Sequence, residues 1–315
     1  MLPETRSVGA PGDDITRAAS HIPAAAIGMI VAAVLCFSIL DVIIKGLAAR
    51  YPVPALLWAR YGVQVLALLV WFGPTMRMAL LRTAHPGIHL VRSAILLVSS
   101  ILFVHALRSL PLANATAINY STPTIVVLLA LVFLRERLTP PRIAFIVAGV
   151  VGMTLIVRPG TLPFGGASLL ALGAAFCYAA YQILTRKLAG EDSRVLLFYP
   201  AFVGVVLLTL GLPWFTLPAD VPWQDVILVL VAGLFGTAGH FLFILAFQRA
   251  PASGLTPFTY MQLVWATLLG WIVFGHLPEQ LTLAGMAIIT VSGLLLTWHE
   301  RRSALAPVQE PTAVE

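Results

Sequence analysis

Charge is what this sequence has least of. Only 10% of its 315 residues are Asp, Glu, Lys or Arg, against about 25% in an ordinary soluble domain. That shortfall excludes a cytosolic globular enzyme, a disordered chain and a nucleic-acid binder, so no nucleic-acid partner is expected. Cysteine is nearly absent: Cys36 and Cys177 are the two there are, which excludes a disulfide framework and a cysteine-based zinc site. Both read as small packing residues. Histidine inside apolar stretches is confined to His105 and His240, with no partners at ligand spacing, so neither metal nor cofactor is expected. No GxxxxGK[ST] run occurs, so ATP hydrolysis by this chain is not expected.

Hydrophobic length is what the chain has instead. Its hydrophobic fraction is 59% and its mean hydropathy +0.94. Crossing a bilayer takes roughly 20 mainly apolar residues. Ten stretches qualify, near 23–45, 52–72, 90–109, 114–134, 143–157, 166–185, 195–214, 225–247, 255–274 and 282–298. Gly and Pro separate them, as at Gly46, Pro111, Pro213 and Pro278. The first stretch is too long for a signal-peptide core and follows an unusually long polar leader. Residues 1–22 and 299–315 are expected to be polar, disordered cytoplasmic tails.

The arginines orient this arrangement. With the N-terminus in the cytoplasm, 14 of the 19 basic residues fall in inside segments, Arg92 among them, and 4 fall outside: Lys45, Arg50, Arg108 and Arg158. Arg60 lies within the second span. The excess follows the positive-inside rule, with both termini inside and an even number of spans.

The two halves also resemble each other. At an offset of 140, Ala106, Pro111, Thr116, Tyr120, Leu128, Leu129, Ala144, Val151 and Leu155 match Ala246, Pro251, Thr256, Tyr260, Leu268, Leu269, Ala284, Val291 and Leu295. At 141, Cys36, Leu47 and Ala48 match Cys177, Leu188 and Ala189. Each half holds five spans, an odd number, so the second enters the membrane from the opposite side, as in many secondary transporters. The expected fold is an all-α polytopic membrane protein of ten transmembrane helices in two inverted five-helix repeats, 23–158 and 166–298. Its expected location is the bacterial cytoplasmic (inner) membrane, as a multi-pass protein surrounded by lipid.

The stretch Ala106-Leu107-Arg108-Ser109-Leu110-Pro111-Leu112-Ala113-Asn114-Ala115 resembles the drug/metabolite transporter superfamily, in its EamA-type branch. So do Phe133-Leu134-Arg135-Glu136-Arg137-Leu138, the Gly149/Gly152 helix after it, and Ala246-Phe247-Gln248-Arg249-Ala250-Pro251-Ala252-Ser253 in the second half. The resemblance implies a secondary carrier with a central cavity lined by spans 1, 3, 4, 6, 8 and 9. Members carry amino acids, nucleotide-linked compounds, vitamins, sugars or toxic cations. The family's Glu after the fourth span is Glu136, whose counterpart here is His276; its expected role is structural.

Within the spans, 12 of the 13 carboxylates drop out as tail or loop residues, Asp225 among them, which leaves Asp41. An Asp at a helix centre costs about 2.5–3.5 kcal/mol to insert. Lys45, one turn on, and Arg60 are its candidate partners. Asp41 serves either substrate-amine binding or proton coupling, or else a structural ion pair. His240 and His105 are candidate cavity or relay residues, since histidine titrates nearest neutral pH. Spans 4 and 9 each carry an early proline and a polar cluster, Asn119 and Tyr120 in one and Tyr260, Gln262 and Trp265 in the other. Interrupted spans at matching positions point to a transport site. Span 6 adds Tyr178, Tyr181, Gln182 and Thr185 on one helix face. Tyr51, Trp71, Trp214, Trp223 and Trp298 read as interface belts.

The expected function is a carrier working by alternating access, exporting an amino acid or another zwitterion with an aromatic part, with protons as candidate coupling ion. The alternative is an uptake carrier for a vitamin or cofactor-like metabolite of the riboflavin or S-adenosylmethionine type. An intramembrane enzyme is the remote reading, because Asp41 has no partner carboxylate for such chemistry.

Overall fold

The computed structural model describes residues 23–133, 139–158, 165–188, 190–214, 220–250 and 252–305. The expected tail 1–22, Glu136 with its neighbouring arginines, and residues 306–315 lie outside the described residues. Among the described residues twelve α-helices follow one another. They are α1 Ala24–Ala48, α2 Val53–Met76, α3 Pro86–Ser109, α4 Leu112–Asn119, α5 Thr122–Phe133, α6 Pro140–Val157, α7 Gly165–Arg186, α8 Ser193–Leu210, α9 Trp223–Arg249, α10 Ala252–Thr259, α11 Met261–Phe274 and α12 Gln280–Leu305. Two short 3-10 turns, Arg77–Leu81 and Leu212–Trp214, sit between them.

Nine described helical segments are long and apolar enough to cross a membrane. The fourth expected span, 114–134, is instead a pair of shorter helices of 8 and 12 residues with a break at Tyr120-Ser121. Pro123 explains the interruption, since it has no N–H for the Asn119 carbonyl. The ninth span breaks at the matching place, Tyr260, between α10 and α11. Expected ends also move. Helix α3 starts at Pro86, whose lack of an N–H is harmless in a first turn. That puts Arg92, counted with the inside segments, six residues into a membrane helix. Helix α12 continues to Leu305 where a tail was expected from residue 299, and Arg302 lies over the Trp298 ring at 3.8 Å, one turn away.

Packing repeats with the halves exchanged. Helix α1 packs along α9, and its counterpart α7 packs along α3; α2 lies on α9 as α8 lies on α3. The pairs α2–α8 and α6–α12 join each helix to its own counterpart. This is an inverted-repeat bundle. Both ends of the described chain lie on one face, called here the terminal face; the other is the far face.

The two faces differ. On the far face α1 packs on α3 and α4, and α4 packs on α11. The corresponding pairs on the terminal face, α7 with α9 and α10, and α10 with α5, lack comparable packing among the described residues. Two clefts of about 530 and 580 Å³ indent the terminal face. The bundle is closed at the far face and parted at the terminal one.

Helix backbones come close together at α6–α12. A Cβ on Gly285 would meet the Gly152 carbonyl oxygen and Ile156 Cγ1, both at 2.6 Å. Helix pairs in lipid lack a hydrophobic driving force and rely on such small-residue contacts. Gly285→Val should therefore cost about 1–3 kcal/mol by overpacking. It is expected to lower the melting temperature in detergent by several degrees. Gly62→Ala, where a Cβ has nothing within 4 Å, is the control that should change little. Equal melting of the two variants would contradict this packing.

Candidate functional site

The two helix breaks meet. The Tyr120 and Tyr260 rings stand 5.4 Å apart at 44°. Leu263 N–H bonds the Tyr260 carbonyl at 3.0 Å, which leaves the Thr259 carbonyl to a donor from elsewhere. Tyr120 supplies it across the break, its hydroxyl donating to Thr259 O at 2.5 Å and lying 3.2 Å from Gln262 Oε1. On the other side of the site, the Asn119 carbonyl released by Pro123 accepts from Thr122 Oγ1 at 2.6 Å.

Around this junction gather most of the residues expected from the sequence. Tyr120 lies within electrostatic reach of Tyr260, Tyr178 and Asp41. Tyr178 stacks on Tyr181, with centroids 5.7 Å apart and rings 15° from parallel. Arg60 is the cation whose field reaches both Asp41 and His240. The Arg60 guanidinium covers the Tyr61 ring at 4.3 Å, and its Nε is buried without a partner. His240 stands edge-on to Phe37 at 4.8 Å. Asp41, Tyr120, Tyr178, Tyr181, Gln182, Asn119, His240 and Trp265 are half-buried, as suits residues lining an internal space. Among the described residues Asp41 has no hydrogen bond and no ion pair. The indole N–H of Trp265 has no partner either.

Two expected residues stand apart. Lys45 is not the partner of Asp41. Its Nζ donates to Leu107 O at 2.5 Å and Leu110 O at 2.6 Å, at the far-face end of α3. Pro111 is the reason: it has no N–H for the Leu107 carbonyl, and the lysine replaces it. His105 turns to its own helix, Nδ1 lying 2.8 Å from Ile101 O.

Asp225 and Arg92 were missed. Asp225 was read as a loop residue, yet it lies in the first turn of α9 with 3% of its surface exposed. Arg50 pairs with it at 2.8 Å and the Tyr51 hydroxyl donates to it at 2.5 Å, so the connection between α1 and α2 is tied to α9. That hydrogen bond pushes the Tyr51 phenol up from its ordinary range. Arg92 is fully buried and reaches Tyr181. A basic residue one and a half turns inside a span was the available signal.

Tyrosines, amides and a carboxylate brought together at paired helix breaks in an inverted repeat are what a membrane transporter calls for. The chain belongs to the EamA-like transporter family, whose model matches residues 24–158 and 166–298. It is 26% identical over 282 residues to an S-adenosylmethionine uptake transporter of Rickettsia conorii, covering 88% of this chain and 94% of that one. It is 29% identical over 285 residues to a riboflavin transporter of Rhizobium johnstonii, covering 87% and 91%. A riboflavin transporter of Vibrio cholerae is 29% identical over 279 residues, covering 85% and 92%. A solved crystal structure shares the fold, with a TM-score of 0.62 at 21% identity, covering 90% of this chain and 99% of that one. The protein is therefore a multi-pass membrane transporter.

Lys45→Met should release two carbonyls and loosen the far face. Spin labels at Arg108→Cys and His276→Cys, in a chain lacking Cys36 and Cys177, are expected to report a broader and longer distance distribution in that variant. An unchanged distribution would remove Lys45 from the far-face closure.

Proposed function

We propose that this carrier takes up a heteroaromatic, cofactor-like metabolite across the bacterial cytoplasmic membrane, S-adenosylmethionine first and riboflavin second. The observation that carries the reading is Asp41. It is a half-buried carboxylate left without hydrogen bond or ion pair among the described residues, within reach of Tyr120 and Arg60. S-Adenosylmethionine brings an ammonium and a sulfonium for Asp41, a carboxylate for Arg60 and an adenine for the tyrosines, whose faces also favour a cation. Riboflavin brings the larger ring and no charge, so it uses the tyrosines and amides alone. The names of the relatives support uptake of such compounds over the amino acid export expected from the sequence.

The positive-inside excess assigns the terminal face to the cytoplasm, and the arrangement is then open inward. Transport exchanges the roles of the halves: the packing of α1 with α3 and of α4 with α11 would open as its counterpart among α7, α9, α10 and α5 forms. No charge need cross lipid, because substrate and Asp41 meet inside the bundle.

Purified carrier in proteoliposomes tests this by counterflow of labelled S-adenosylmethionine and of riboflavin. Wild type is expected to exchange the first. Asp41→Asn should slow that exchange at least about ten-fold, the scale of one lost charge-assisted hydrogen bond, and leave any riboflavin exchange unchanged. If Asp41 serves proton coupling alone, exchange survives in the variant and only pH-driven accumulation is lost. Failure of wild type to exchange either solute sinks the proposal.

A further inference from the structure

Arg92 is buried to 0% exposure in α3, six residues from its terminal-face end, or about 9 Å down the helix. Among the described residues no carboxylate pairs with it. Only Nη2 has partners: it donates to Leu196 O at 2.5 Å and to the Tyr181 hydroxyl at 3.3 Å. The guanidinium also covers the Tyr181 ring at 4.8 Å. Nε and Nη1 have no partner. A buried cation that leaves two donors unused carries a desolvation cost that its few hydrogen bonds offset only in part.

Its anchor is specific. Leu196 O stands four residues before Pro200, within α8, and proline offers that carbonyl no N–H. The released oxygen holds the guanidinium in place, and the guanidinium in turn fixes the outer edge of Tyr181. Tyr181 is thereby held nearly parallel to Tyr178, 15° apart. Tyr178 is in turn within reach of Tyr120 at the helix breaks.

We infer that Arg92 is a positioning residue for substrate selection: anchored on the carbonyl freed by Pro200, it locks Tyr181 against Tyr178 as a flat wall for the aromatic part of the substrate. The inference rests on the reading of the site as one for a heteroaromatic solute. It adds a residue that touches no substrate and acts through Tyr181. Arg92 binds rings indirectly, so its loss should change affinity and not turnover.

Arg92→Met and Tyr181→Phe are the variants, alone and together. In S-adenosylmethionine counterflow each should raise KM about ten-fold with Vmax within about two-fold, the scale of one lost hydrogen bond. The double variant should add nothing further. The melting temperature of Arg92→Met should fall, since Leu196 O loses its donor, whereas Tyr181→Phe keeps that bond and should melt like wild type. A melting temperature that falls while KM holds makes Arg92 a structural residue and overturns the inference. If wild type exchanges neither S-adenosylmethionine nor riboflavin, the functional reading fails by itself, and a second readout decides Arg92. Cys177 lies one turn before Tyr181 on α7 and is the only other cysteine once Cys36 is replaced by Ala. Its alkylation by N-ethylmaleimide should change by the same factor in both variants, without adding in the double. An unchanged rate overturns the inference whatever the solute.

Discussion

A carbonyl released inside a membrane must find a donor in the protein, because hydrocarbon supplies none. Proline releases several of them here, and each released oxygen fixes a neighbour. Pro111 frees Leu107 O, and Lys45 reaches from α1 to bind it. Pro123 frees Asn119 O, and Thr122 caps it. Pro200 frees Leu196 O, and Arg92 crosses from α3 to α8. The break after Thr259 frees one more, and Tyr120 crosses from the opposite repeat. Three of these four contacts join different spans. The need to satisfy the backbone thus decides where much of the polar chemistry of the bundle sits, before any substrate is considered.

The fold is symmetric, but its charges are not. Packing is exchanged between halves, yet the charged residues are not. Asp41 corresponds at an offset of 141 to Gln182, and Arg60 to Ala201. One half supplies Asp41 and Arg60 and the other supplies the stacked Tyr178 and Tyr181. A ligand with a charged end and a ring would find both halves useful. Closure at the far face, with Lys45 across the end of α3, fits one stage of a cycle in which the halves trade places.

Much of this was legible in the chain. Ten apolar stretches at membrane length, the 140-residue offset and the prolines of spans 4 and 9 gave the architecture and the place of the breaks, because burial in lipid demands long apolar helices and tolerates interruption only beside protein. Asp41 stood out because a carboxylate in a span is rare. What escaped was partner choice. Lys45 sits one turn from Asp41 and still binds carbonyls of another helix. Asp225 looked like a loop residue and is buried against Arg50 and Tyr51. Arg92 looked like a charge at the inner end of a span and lies within the bundle. Each depends on which residues a helix some 60 to 170 positions away brings near, and spacing along one helix carries no such information.

Composition and periodicity alone determined that the chain spans a membrane in two repeated halves, since apolar length and charge placement are set residue by residue against the bilayer. Tertiary structure decided the pairings and the state. Tyr120 reaches Thr259 and not its own repeat, and the far face is the packed one, because a freed carbonyl takes whichever donor the packed helices bring within about 3 Å.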